Sequence, residues 1–211
     1  MPAEQVITAF ANGLFMSLVL IVAIGAQNAY VLRQGLRREH VSAVVLFCAA
    51  SDAVLIGAGV AGMAQALKGR PVLATVLAGL GAAFLCAYGL RALWRSRQPG
   101  ALQAAAQGGS LSRAAVVAQA AGFTLLNPHV YLDTVLLVGS AGAQYAGPLK
   151  LWFVAGASVA SALWFTALGF GARLLAPVFA RPRAWQMLDA LIGGTMLVLA
   201  AMLARRALTG L

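Results

Sequence analysis

Asp52 and Asp133 are carboxylates set inside long apolar runs, Val41–Leu67 and Ala114–Leu149. A charge at the centre of a membrane helix costs on the order of 2.5–3.5 kcal/mol by insertion scales, so retaining two implies a use. Gly25-Ala26-Gln27-Asn28 puts two amide side chains into a third apolar run. Asn127-Pro128 adds another amide, beside a proline that removes a backbone donor and pushes the preceding residue away from the α region. Both segments read as broken helices. A discontinuous helix offers free N–H groups at one half-helix end and free carbonyls at the other, suited to an anion and a cation respectively. A zwitterion fits both. Taken singly, Gln27, Asn28 and Asn127 also fit hydrogen bonding between neighbouring helices, Asp52 fits a structural bond to Ser51 or a facing Asn, and Asp133 fits a solvated position near the end of its apolar stretch. Breaks in two corresponding helices favour a site.

The elements that would position these residues follow from composition. The 211 residues carry a net charge of +10, only five acidic side chains and 62% hydrophobic content, with a mean hydropathy of +0.87. A soluble domain has about 25% charged and 45–50% apolar residues; here 9% are charged. The chain belongs in a bilayer. The isoelectric point of 11.1 suggests nucleic acid only superficially, because the basic residues are scattered singly and form no stripe. About 20 apolar residues span roughly 30 Å of hydrocarbon, and six stretches qualify, beginning near Val6, Val41, Val72, Ala114, Leu151 and Ala184. The first lacks the positive flank and cleavage pattern of a secretory signal and reads as a retained helix. Ala114–Leu149 is too long for one straight span.

Arg33, Arg37, Arg38, Arg91, Arg95, Arg97, Arg113, Arg173, Arg181 and Arg183 follow the first, third and fifth spans, ten in all, against Lys68, Arg70, Lys150, Arg205 and Arg206, five, on the other side. The positive-inside rule then places both termini outside. A Gln-, Ala-, Gly- and Ser-rich segment reads as a flexible cytoplasmic connection. It divides the chain into a three-helix repeat at 1–94, a linker at 95–112 and a second three-helix repeat at 113–211. Three helices per half make the second half start on the opposite face. The expected fold is therefore all-α, a polytopic membrane protein of six transmembrane helices in two inverted three-helix repeats, with helices 1 and 4 broken. Asn28-Ala29-Tyr30-Val31 has its counterpart in Asn127-Pro128-His129-Val130, and Ser51 in Ser161.

Other patterns carry less. Gly57-Ala58-Gly59-Val60-Ala61-Gly62 spells a dinucleotide fingerprint, but no strand precedes it and no βαβ unit surrounds it; helix packing explains it. His129 has no Cys or His at metal-ligand spacing, and Cys48 and Cys86 lie in apolar runs, so neither a metal nor another cofactor is expected. Only His129 with Asp133 could supply enzymatic chemistry, and an enzyme is not the reading. Asp189 sits near its helix start, where the macrodipole favours an acid, and is assigned a structural role. Small-residue faces, such as Ala49, Ala53, Gly57 and Ala61, permit a homodimer without demanding one.

The run Ala23–Gly35, with Gly25-Ala26-Gln27-Asn28, together with Ser51-Asp52, Asn127-Pro128-His129-Val130-Tyr131-Leu132-Asp133 and Ala160-Ser161-Ala162-Leu163-Trp164-Phe165, resembles the LysE family of basic amino-acid exporters, most closely its arginine and lysine exporter branch. The resemblance covers essentially the whole chain. One departure stands out: members commonly have Gly-Pro-Gln-Asn where this chain has Gly25-Ala26-Gln27-Asn28, so Gly25 would have to permit the first break. The resemblance implies export of L-arginine and L-lysine across the bacterial inner membrane, driven by an ion gradient. Asp52, with Asp133 second, would alternate between a proton and the cationic substrate. The α-carboxylate would meet half-helix amides near Gln27, Asn28 or Asn127, while Tyr30, Tyr131 and Trp164 would cover the aliphatic stem by cation–π contacts of roughly 0.5–2 kcal/mol. The competing reading is a transporter for another small cationic or zwitterionic solute, an amino acid or a metal cation.

Overall fold

The computed structural model describes residues 2–22, 25–63, 71–97, 111–127, 130–175, 177 and 181–209. Pro128, His129, Lys68, Arg70 and most of the expected linker lie outside them. Eight α-helices and two π-helical segments are described: α1 (Ala3–Ile21), α2 (Ala26–Arg37), α3 (Val41–Ala58), a π segment at Gly59–Met63, α4 (Pro71–Ser96), α5 (Arg113–Leu125), a second π segment at Tyr131–Val138, α6 (Gly139–Ala143), α7 (Leu149–Gly171) and α8 (Pro182–Thr209). A 3-10 turn, Ala172–Leu175, follows α7. No strand occurs among the described residues.

Local chemistry sets the boundaries. Gly25 precedes α2 with extended backbone, φ −109° and ψ 173°. Arg38 ends α2 in the left-handed region, its N–H bonded to Gly35 O and that of Glu39 to Gln34 O, both at 3.2 Å. These bonds occupy the last carbonyls of the helix. Ser112 caps α5 by accepting from Ala115 N at 3.2 Å, and Pro182 opens α8 at a position where a missing N–H costs nothing. The helix α4 runs through Ser96 and so takes in Arg95, the first residue assigned to the linker.

Among the described residues, four helical stretches are long and apolar enough to cross a membrane: Ala3–Ile21, Val41–Gly62, Leu149–Leu175 and Arg183–Arg205. The first apolar run is divided between α1 and α2, and the fourth between α5 and the π segment with α6. The surface is apolar: Phe15, Val19, Leu46, Leu163, Leu191 and Val198 are all exposed. On α3, Val54 is 70% exposed and Asp52 only 6%. That inversion of the soluble pattern suits a hydrocarbon surround.

Helix α1 packs along α7, and α4 along α8. At the first contact the backbones touch, because a Cβ on Gly13 would fall on the Phe153 carbonyl and one on Gly156 on the Phe10 carbonyl. The α4–α8 pair meets the rest of the bundle through an aromatic cluster: Phe123 of α5 stands 4.6 Å from Tyr88 of α4 and 4.9 Å from Tyr30 of α2, centroid to centroid.

Beside that cluster lies an ion-pair group. Asp189 Oδ1 is 3.5 Å from Arg33 Nε and 3.2 Å from Arg95 Nη2, the Arg33 Nη1 donates to Tyr88 Oη at 3.3 Å, and the Arg95 guanidinium lies over the Tyr88 ring at 5.6 Å. The structural role expected for Asp189 thus has a different basis from the helix dipole: it is the shared anion of two arginines from two other helices. Gly35 of α2 also abuts Gly169 of α7 and Ala172 at the start of the 3-10 turn that follows it. The ends of α2, α4 and α7, and the start of α8, therefore share one end of the bundle, here the arginine end. At the other end Asn12 Nδ2 donates to Tyr145 Oη at 2.8 Å.

Candidate functional site

The two interruptions, one between α1 and α2 and the other after α5, face a common cavity of about 280 Å³ whose polar lining includes Ser17, Gln27, Asn28, Asp52, Asn127, Asp133 and Thr134. Its apolar wall is aliphatic, formed by Leu20, Ile21, Ile56 and Val138 among others. Asp52 and Ile56 share a face of α3 at i, i+4 spacing, so one turn of helix delivers the acid and part of the wall. Ser161 of α7, fully buried, donates from Oγ to Asp52 Oδ2 at 2.7 Å. The partner of Asp52 is therefore neither Ser51 nor an asparagine. A hydrogen bond to a charged group contributes about 1.5–3 kcal/mol, which offsets part of the cost of the buried carboxylate.

Three residues beyond Ser161, on the same face of α7, Trp164 Nε1 donates to Asn28 Oδ1 at 3.2 Å, while Asn28 Nδ2 donates to the Ile21 carbonyl at 2.6 Å. Asn28 thus closes the end of α1 from the first turn of α2. Across the second interruption Tyr131 Oη donates to the Leu125 carbonyl, the last of α5, at 2.8 Å. At both interruptions a side chain from the incoming segment occupies the terminal carbonyl of the outgoing one. Since a helix leaves its last four carbonyls without intrahelical partners, these bonds hold the interruptions in shape. The backbone of Gly25 is one that any residue adopts, so glycine's special freedom is not what makes the first break.

Gln27 is buried and its Nε2 has no oxygen or nitrogen hydrogen-bond partner among the described residues, with only the weakly accepting Cys48 thiol beside it. A buried donor left unmade costs about 1–3 kcal/mol, a cost that an incoming acceptor would relieve. Gly25 has no side chain with which to cap α2, so the first-turn amides and their positive dipole end stand beside Gln27 at the cavity. Asp133 and Thr134 come from the π segment, a geometry frequent at functional sites.

Of the residues expected from sequence, Gln27, Asn28, Asp52, Asn127 and Asp133 line this one cavity, with Gly25 at its rim. Tyr30 does not: its ring belongs to the aromatic cluster and its hydroxyl donates to Val116 O at 2.9 Å. Tyr131 and Trp164 touch the interruption and Asn28 respectively without lining the cavity. Pro128 lies outside the described residues. Ser17 and Thr134 were not anticipated; an isolated hydroxyl one turn before Ile21 and another next to Asp133 were the available signals. Among the described residues no three His, Cys, Asp or Glu gather as a metal site would require.

The model of the LysE type translocator family matches residues 18–207. The chain belongs to the LysE type translocator family. This translocator is 45% identical over 198 residues to a putative amino-acid transporter of Aeromonas salmonicida, covering 93% of this chain and 96% of the relative. It is 46% identical over 180 residues to a putative amino-acid transporter of Mycobacterium tuberculosis, covering 85% and 89%. An arginine exporter protein of Yersinia enterocolitica is 38% identical over 199 residues, covering 94% and 97%. No solved structure shows significant similarity to it.

Proposed function

We propose that this translocator is a secondary transporter that exports L-arginine, L-lysine or both from the bacterial cytoplasm, in exchange for protons. The observation that carries the reading is a single cavity that holds two carboxylates, Asp52 and Asp133, and the buried Gln27 side chain, whose Nε2 has no oxygen or nitrogen partner among the described residues, beside an uncapped helix start. Its size, near the lower limit of about 300–1,000 Å³ for ligand pockets, suits one amino acid. The α-carboxylate meets Gln27 and the first-turn amides of α2, and the cationic side chain reaches Asp52 or Asp133 past the aliphatic wall. The arginine exporter of Yersinia enterocolitica lends support through its likeness over nearly the whole chain.

Energetics favour exchange over leakage. Moving one positive charge outward against an inside-negative potential costs about 2.3 kcal/mol per 100 mV, so a uniport for arginine would run inward. One cation out for one proton in moves no net charge. In a low-dielectric interior an isolated carboxylate is expensive, and either a proton or a cation relieves it; Asp52 holds the two in turn. The inverted-repeat arrangement, with the arginine end cytoplasmic and both termini outside, completes the reading of a multi-pass inner-membrane protein.

The test is efflux of labelled arginine from proteoliposomes under an imposed pH gradient. Asp52→Asn is expected to abolish proton-driven export while leaving the folded protein intact; undiminished, gradient-dependent efflux would remove Asp52 from the mechanism. Competition by lysine, by neutral amino acids and by simple cations separates this substrate class from another small solute.

A further inference from the structure

A second cavity, of about 410 Å³, opens at the arginine end and is lined by Arg38, His40, Ser42, Arg113, Phe170 and Arg173, with the adjoining first turn of α3. Its cations come from three connections that are distant in sequence: the turn after α2, the start of α5 and the turn after α7. Among the described residues no carboxylate lines it. The nearest acid in sequence, Glu39, is engaged by Arg37 at 2.8 Å. Arg38 and Arg113 take part in no ion pair among the described residues, and Arg173 leans over the Phe170 ring at 5.4 Å.

The convergence is built into the backbone. Arg38 and His40, at φ 56° and 48°, are the two non-glycine residues with positive φ among those described, and both line this cavity. Residues held in the left-handed region cluster at ligand clamps. His40 Nε2 lies 3.1 Å from the Leu111 carbonyl, which ties the α2–α3 turn to the lead-in of α5 and brings Arg113 to the same opening. His40 provides no side-chain cap to α3, so the positive end of an 18-residue helix faces the same space. Next to the cavity the surface turns apolar: Leu46, one turn from Ser42 on α3, is 68% exposed, and Leu174, beside Arg173, is 84% exposed.

We propose that this cavity binds the phosphate group of an anionic phospholipid headgroup, with the acyl chains lying along Leu46 and Leu174. Planar guanidinium groups match phosphate oxygens in pairs, and basic pockets between membrane helices suit such headgroups. Apolar surface beside the cations selects a lipid over a soluble anion.

The purified full-length protein is tested by native mass spectrometry and by thermal unfolding with phosphatidylglycerol, phosphatidylcholine or sodium phosphate. Phosphatidylglycerol is expected to stay bound and raise Tm where phosphatidylcholine does not. Binding should weaken about fivefold for each arginine removed in the series Arg38→Gln, Arg113→Gln and Arg173→Gln. Replacing Arg91, Arg97 and Arg183 by Gln controls for diffuse attraction. Protection by sodium phosphate alone, lost in the triple variant, would keep the phosphate site and assign it to the free anion. Equal retention of phosphatidylglycerol by the triple variant, or equal loss in the control, overturns the proposal.

Discussion

At the residue scale the cavity separates two duties that amide side chains share in the sequence. Asn28 spends both ends of its amide on Ile21 O and Trp164 Nε1, whereas Gln27, its neighbour, keeps a buried donor with no oxygen or nitrogen partner among the described residues. Gln27→Ala is therefore expected to weaken apparent affinity for arginine by about tenfold to a hundredfold, the equivalent of about 1.5–3 kcal/mol for a hydrogen bond to a charged group. It should leave affinity for agmatine, the same cation without its carboxylate, unchanged. Concentration-dependent binding of the two ligands checks this, and equal losses for both would refute the assignment of Gln27 to the carboxylate. Residue type and depth made Gln27, Asn28 and Asp52 legible as candidates. That Asn28, besides lining the cavity, has its amide oxygen taken up depends on a tryptophan more than a hundred positions away, and no local pattern encodes that. Tyr30 was misplaced for the same reason: its neighbours Tyr88 and Phe123 belong to distant helices.

At the scale of elements, the interruptions were legible as polar residues and a proline inside apolar runs, but what maintains them was not. Extended backbone at Gly25 requires no glycine, and the terminal carbonyls of α1 and α5 are held by Asn28 and Tyr131. Gly25→Ala is accordingly expected to transport at close to the unmodified rate. Asn28→Ala, which orphans Ile21 O, should lower stability by about 1–3 kcal/mol and disturb transport of every substrate alike. Thermal unfolding in detergent, read beside efflux, distinguishes the two. A Gly25→Ala variant as impaired as Asn28→Ala would return the first break to glycine. The two closures use different side chains, an asparagine amide at the first interruption and a tyrosine hydroxyl at the second.

For the whole molecule, the cavity's position implies which end is shut. Its lining runs from Gln27 and Asn127 through Ser17 and Val138, toward the Asn12–Tyr145 end. On the other side of Gln27, the Tyr30–Phe123–Tyr88 cluster and the Arg33–Asp189–Arg95 group close the arginine end. With the arginine end cytoplasmic, as proposed above, loading requires that closure to open, and the seam where it can part lies between the α4–α8 pair and α2 with α5, where contacts are sparse beside those between α4 and α8. The two side chains of Arg33 and Asp189 are 10% and 11% exposed, and removing one partner of a buried ion pair costs about 3–5 kcal/mol, so Asp189→Asn should bias the protein toward the open form. A covalent bridge should do the reverse. With Cys48 and Cys86 replaced by Ala, cysteines at positions 88 and 123 link α4 to α5 across the seam. Bridging them with a short bifunctional thiol reagent is expected to stop arginine efflux, and reduction of a cleavable bridge to restore it to the rate of the unbridged variant. Full efflux from the bridged protein would mean that substrate enters without parting α4 from α5, and that the opening lies elsewhere in the bundle.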